Sequence, residues 1–138
     1  MAAKTLTYLD SSILITAMRE DNFGKKLRAL KVLGDRRREF VASEFLRLET
    51  LPYAIVFHRQ REQAFLERFF EHKVSHWVQD ETLLFAPAAH LIEQYNLQLI
   101  DALHLAAAMM FKAEFVTAEK PTKPFFAAYA KVATIYES

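Results

Sequence analysis

The sequence has no cysteine, two glycines and four prolines in 138 residues. Without cysteine there is no disulfide, no thiolate zinc site and no cysteine nucleophile, which agrees with a reducing compartment. Gly24 and Gly34 alone cannot build a P-loop or a dinucleotide fingerprint, since both need several glycines at fixed spacing. So little glycine and proline also excludes collagen-like repeats and flexible linkers. The net charge is only +1, from eighteen basic and seventeen acidic residues, so any nucleic-acid surface must arise from local charge placement. No window reaches the roughly 20 apolar residues needed to cross a bilayer. The opening MAAKTLTYLD lacks the apolar run of a signal peptide. What is abundant is apolar surface, with 52% hydrophobic residues, twelve of them phenylalanine. A chain of this size and composition can exclude about two-thirds of its unfolded surface from water. The expectation is a single cytoplasmic domain spanning residues 1–138.

Short apolar runs alternate with longer helical ones. Thr5 to Leu9 reads as a buried strand ending at Asp10, with Ser11 and Ser12 placed to cap the following helix. Phe23 to Asp35 reads as a helix with Leu27, Leu30 and Leu33 as its apolar stripe and Gly34 as its stop. Glu39 to Ala42 is a second strand, and Ser43 caps a helix carrying Phe45, Leu48, Leu51 and Ile55, which Pro52 is expected to bend or interrupt. Arg61 to Lys73 is a further helix, and His76 to Val78 a third strand. Asp80 caps a helix holding Leu84 to Tyr95, in which Pro87 sits awkwardly. Leu99 to Phe111 is alanine-rich and free of breakers. Phe115 to Thr117 and Lys131 to Tyr136 supply the last strands. Strands separated by helices predict an α/β fold, with a parallel sheet covered on both faces.

Ligands of such a sheet bind outside the carboxyl ends of its strands, where strand order reverses. Asp10, Glu49, Asp101 and Glu119 each lie at or just past a strand-to-helix transition, far apart in sequence. Converged at one rim they would repel one another unless cations compensated. Oxygen ligands suit hard divalent ions such as Mg²⁺ or Mn²⁺, which can activate water and stabilise charge on a phosphodiester. The plainer alternative for each residue is a helix cap or a solvated loop. Asp101 resists it, because its neighbours Ile100, Ala102 and Leu103 predict burial.

The strings YLDSSILI, SEFLRLE, LQLIDALHLAAA and FVTAE occur in the order and spacing of the PIN domain, and the chain resembles small stand-alone PIN proteins of the VapC toxin type from Thr5 to about Ile135. The resemblance implies a three-layer α/β/α sandwich with a Mg²⁺- or Mn²⁺-dependent ribonuclease site. Asp10, Glu49 and Asp101 match the family's first three carboxylates. Glu119 stands where the family usually has aspartate, so that carboxylate is displaced by about one methylene and reaches an ion through water or holds it less firmly. Ser12 matches a polar position near the metal, and Thr117 a hydroxyl residue at a strand end. Glu44 also follows Ser43, but one residue past a cap it suits the helix dipole, which leaves Glu49 as the preferred ligand. The resemblance further implies a homodimer and a cognate antitoxin that blocks the acidic groove with a basic residue.

The remaining features divide between site and scaffold. Lys25, Lys26, Arg28, Lys31, Arg36, Arg37 and Arg38 either neutralise RNA phosphates or form a solvated helix face. Lys120 and Lys123 follow Glu119 closely. His104, one turn after Asp101, reads as a hydrogen-bonded helix histidine rather than an acid or ligand. Phe65, Phe69 and Phe70, with Tyr53, Phe57 and Trp77, read as core, with part of the set available for assembly. The leading expectation is a metal-dependent endoribonuclease acting as the toxin of a toxin–antitoxin pair. A catalytically weak PIN scaffold that binds RNA or protein is the alternative. A structure-selective DNA nuclease ranks last, because the chain has no DNA-binding appendage.

Overall fold

The computed structural model describes residues 3–137. Five strands, β1 (Thr5–Leu9), β2 (Arg38–Ala42), β3 (Val74–Trp77), β4 (Glu114–Thr117) and β5 (Val132–Thr134), form one sheet in the order β3-β2-β1-β4-β5. Every neighbouring pair is parallel. Thr5 lies opposite Arg38 on one flank of β1, and Leu9 opposite Val116 on the other. The chain moves outward from β1 through β2 to β3, then returns to β4 on the far side of β1. The strand order therefore reverses between β1 and β4, and the crevice at their carboxyl ends is the switch point of the sheet.

The sheet is the middle layer of an α/β/α sandwich. Helices α1 (Ser11–Arg19), α2 (Phe23–Leu33) and α4 (Gln60–Arg68) pack on one side, and α5 (Phe85–Tyr95), α6 (Leu99–Met110) and α7 (Phe125–Ala128) on the other. Helix α3 (Glu44–Val56) touches α1 and α4 but also α6, so it links the two outer layers. The carboxyl halves of β1 and β4 are fully covered, Tyr8, Leu9, Phe115 and Val116 all being buried, as parallel strands flanked by helices should be. Helix α6 is buried continuously from Ala102 to Ala108, and its alanines allow it to lie close against its neighbours. Among the described residues, no helix is long and apolar enough to cross a membrane.

Several local expectations are corrected. Pro52 does not interrupt α3, which runs through it. Its missing N–H falls on the exposed side with Leu48, where water can serve the freed carbonyl. Pro87 is the third residue of α5, within the first turn, where backbone N–H groups have no helical acceptor. Asp80 caps a 3₁₀ turn (Glu81–Leu84) ahead of that helix, not the helix itself. The helix expected from Arg61 to Lys73 ends at Arg68 and widens into a π-helical turn (Phe69–Lys73) that buries Phe69 and Phe70 together. Ser12 is not a cap: Asp10 holds the N-cap position of α1. Ser43 is at the N-cap of α3, yet its side chain makes no cap bond. Both hydroxyls are engaged elsewhere.

The scarcity of glycine leaves a mark. His58, Asn96 and Lys112 hold left-handed backbone with φ of 55°, 56° and 53°, while neither glycine has positive φ. Each follows a helix and closes its last turn, a role glycine fills without steric cost. Replacing exposed His58 by glycine is expected to stabilise the protein by roughly 0.5–1 kcal/mol, as relieved strain exceeds the added freedom of the unfolded chain. Urea unfolding of His58→Gly checks this, and an unchanged or lower midpoint contradicts it.

Candidate active site at the carboxyl rim

Asp10 follows β1 directly and is buried at 4% exposure. Its backbone N–H donates to the Val116 carbonyl at 2.9 Å, which extends the β1–β4 pairing by one residue into the crevice. Its Oδ2 accepts from the Ser12 and Thr117 hydroxyls, each at 2.8 Å. Ser12 Oγ in turn accepts the Ala118 N–H at 2.9 Å, and Thr117 Oγ1 accepts the Glu119 N–H at 3.1 Å. Two hydroxyls thus fix the Asp10 carboxylate and tie it to the turn that carries Glu119.

Glu49 is held from the opposite direction. Its Oε1 lies 2.7 Å from His104 Nε2. The His104 ring is fully buried, and its Nδ1 lies 2.7 Å from Tyr8 Oη, itself 2.8 Å from Ser43 Oγ. A carboxylate can only accept, so the imidazole carries its proton on Nε2 and donates it to Glu49. The Tyr8 hydroxyl bridges His104 Nδ1 and Ser43 Oγ. This chain joins β2, β1, α6 and α3, and burial pushes the Tyr8 phenol far above its ordinary value, so it stays protonated. Burial alone would raise the Glu49 carboxyl as well, but the His104 contact and the Ser11 hydroxyl outweigh it and hold Glu49 below the usual carboxylate range.

Asp101, in the first turn of α6, has no such relief. Burial foremost, then the charge of Asp10 and that of Glu49, outweigh His104 and Lys123 and push its carboxyl up to about 6. Asp10, Glu49, Asp101 and Glu119 all line one cavity of about 470 Å³, together with Ser12 and Lys123. The four expected carboxylates are therefore brought to one place. They do not form a ready cage, for among the described residues no three histidine, aspartate or glutamate side chains converge closely enough to hold an ion. The donor set is nonetheless all oxygen, and magnesium ordinarily takes one or two carboxylates with the remaining positions filled by water. Glu44 lies outside the cavity and pairs with Arg47 at 3.5 Å.

His104 is the residue whose part sequence reasoning understates. The sequence predicts a hydrogen-bonded histidine, but its acceptor proves to be one of the site carboxylates. The serines depart from expectation in the same way, since Ser12 and Ser43 serve Asp10 and Tyr8 instead of helix ends. The basic stretch divides. Arg37 and Arg38 pair with Asp35, and Arg38 also pairs with Glu114 at 2.8 Å, all at the amino ends of β2 and β4, opposite the cavity. Lys25 is on the cavity's side of the molecule and lines the cleft beside it.

A doubly wound parallel sheet with an acidic cavity at its switch point defines a class of proteins, and comparison narrows it. The sequence profile of the PIN domain matches residues 7–123. The chain belongs to the PIN domain family. Its fold is similar to that of a toxin–antitoxin complex from Klebsiella pneumoniae, at 24% identity and TM-score 0.69 over 96% of this chain and 99% of the other. It is also similar to VapBC2 from Rickettsia felis bound to a DNA fragment from its promoter, at 13% identity and TM-score 0.65 over 96% and 99% of the two chains. FitAcB from Neisseria gonorrhoeae follows at 16% identity and TM-score 0.60 over 95% and 96%. Among curated proteins no sequence matches.

The raised Asp101 carboxyl has a sign that can be checked. Its folded-state value, about 6, exceeds the ordinary 3.8, so ionisation disfavours the fold and stability falls as pH rises across that interval. In metal-free buffer, Asp101→Asn should raise the melting temperature above about pH 7, and the gain should vanish below about pH 4, where the carboxyl is protonated folded or unfolded. Thermal unfolding across this range in the presence of a chelator tests it. A gain independent of pH would mean that charge is not the cause.

Proposed function

We propose that this protein is a Mg²⁺- or Mn²⁺-dependent endoribonuclease and the toxin of a toxin–antitoxin pair. In this reading residues 1–138 act as one PIN-like domain, cytoplasmic and homodimeric. The observation that carries it is the shared cavity: Asp10, Glu49, Asp101 and Glu119 come from four separate segments and line the same space. Membership of the PIN family supports a nuclease. Asp10, Glu49 and Asp101 would hold the divalent ion, with Glu119 assisting through water, and their like charges are what such an ion relieves. When bound, it supplies positive charge to polarise a phosphodiester and to make water acidic.

The chain's own residues prepare that site. Ser12 and Thr117 orient Asp10 through Oδ2, leaving Oδ1 for a ligand. His104 keeps Glu49 ionised and aimed. Lys123, whose charge opposes the rise at Asp101, offers an ammonium to a phosphate entering the cavity. The solved relatives include a toxin–antitoxin complex and VapBC2, which supports an antitoxin as partner. Exposed apolar side chains on and after α3, among them Leu48, Val56 and the stacked pair Tyr53 and Phe57, offer surface for a second copy.

A non-catalytic scaffold that binds RNA or protein is the second reading, favoured by the lack of any three converged ligands among the described residues. The two are separated by RNA cleavage in Mg²⁺. Asp10→Asn and Asp101→Asn should each lose more than about a hundredfold in rate, since even residues behind a metal ligand are worth roughly 10–100-fold. A chelator should abolish cleavage in the wild type. Cleavage that survives both substitutions refutes the assigned site, and a wild type that cuts no RNA in Mg²⁺ or Mn²⁺ favours the scaffold.

A further inference from the structure

A second cleft, of about 270 Å³, adjoins the acidic cavity and shares Ser12 and Glu119 with it. Its chemistry is different. Lys25 from the first turn of α2 and Lys120 from the turn after β4 both approach the ring of Tyr136, their Nζ atoms 5.9 and 5.8 Å from its centroid. Neither ammonium forms an ion pair among the described residues, whereas Arg19, Arg28, Arg37, Arg38, Arg47 and Arg59 all pair with carboxylates. Glu20 and Glu119 line the cleft as well, and neither forms an ion pair with Lys25 or Lys120 among the described residues. Glu20 accepts the Asn22 N–H at 3.0 Å as part of the turn into α2, and Glu119 belongs to the boundary with the acidic cavity.

Tyr136 is a fixed platform. The guanidinium of Arg28 donates through Nε to the Ile135 carbonyl at 2.8 Å and pairs with Glu137 at 3.5 Å, which clamps the segment on both sides of the tyrosine to α2. The Tyr136 N–H donates to Thr134 Oγ1 at 3.0 Å, and that hydroxyl donates to the Glu119 carbonyl at 2.6 Å. The last segment of the chain is thereby fastened to the turn that carries Glu119 and Lys120. An aromatic ring held in place with two unpaired ammonium groups near it, half-buried and beside a carboxylate cavity, has the composition of a seat for one nucleotide: ammonium for phosphate, ring for base.

We propose that the cleft formed by Lys25, Lys120 and Tyr136 binds single-stranded RNA, holding the phosphate and base next to the nucleotide that occupies the acidic cavity. This rests on the reading of that cavity as a ribonuclease site. It gives the strand a path, with Lys25 and Lys120 on one side of Glu119 and Lys123 on the other. It also accounts for a protein of net charge +1 engaging a polyanion, because unpaired positive charge is placed along the approach.

The test uses fluorescence anisotropy with a short labelled oligouridylate and the full chain in a chelator, so that nothing is cut. Lys25→Ala/Lys120→Ala should weaken binding about tenfold or more at low salt and lower the salt slope by about 0.7 for each phosphate no longer neutralised. Tyr136→Ala should weaken binding with the slope kept, and Tyr136→Phe should bind like the wild type. Arg36→Ala, at the other end of the sheet, should change nothing, and melting temperatures confirm that each variant folds. Wild-type affinity and slope in the double lysine variant overturn the inference, and if the same protein cuts RNA in Mg²⁺ the ribonuclease reading stands without it. Binding that depends on these lysines in a protein that never cuts sustains the inference and defeats the reading. Wild type that binds no oligouridylate defeats the inference outright. If the double variant loses polyglutamate but keeps oligouridylate, the cleft serves an acidic peptide and the inference falls.

Discussion

Gathering negative charge in a half-buried crevice is the constraint around which this protein is organised. Like charges that share a medium poorer than water repel one another, and each carboxylate at the rim meets the problem differently. Asp10, the most buried, is held by two hydroxyls at 2.8 Å. Glu49 leans on an imidazole at 2.7 Å. Asp101 has only the distant influence of His104 and Lys123, and its carboxyl is the one that is pushed up. The gradient from satisfied to unsatisfied marks where an added positive charge stabilises the fold most.

The Ser43–Tyr8–His104–Glu49 chain shows how deep the support reaches. It begins at the end of β2, passes through the first strand, crosses α6 and emerges at a carboxylate on α3. Each link contributes about 1 kcal/mol net, but a broken link leaves a buried polar group unpaired at about 1–3 kcal/mol. Such a network enforces one arrangement more than it adds stability. Helix α6 suits this role because it is buried along most of its length, so that the backbone carrying both Asp101 and His104 has little freedom to shift.

Much of the architecture is legible in the sequence. Short apolar runs such as TLTYL and EFVT, separated by helical stretches, mark a parallel α/β sheet, and the acidic residues just past those runs mark its rim. The resemblance to PIN proteins, borne by DALHLAAA and its companions, adds the family. What the sequence hides is the partner of each polar side chain. Ser12 and Ser43 precede or open helices, and local preference assigns them to caps. Ser43 instead meets Tyr8 across 35 residues, which no local rule sees, and Ser12 turns back to Asp10 two positions earlier while its oxygen accepts from Ala118 across 106. Pro52 misleads for a similar reason, as the cost of a proline depends on whether its orphaned carbonyl faces water, and that is a property of the whole molecule.

The pairing of β1 with β4 carries a last implication. Thr117 donates to Asp10 across a separation of 107 residues, and β4 cannot take its place beside β1 until most of the polypeptide has been made. Contacts this remote in sequence form late, because a long loop must close before they are rewarded. A chain emerging from the ribosome therefore carries Asp10 for most of its synthesis without Thr117. A nascent chain that stops short of β4 lacks both Thr117 and Glu119, so the crevice is assembled only once nearly the whole polypeptide has been made.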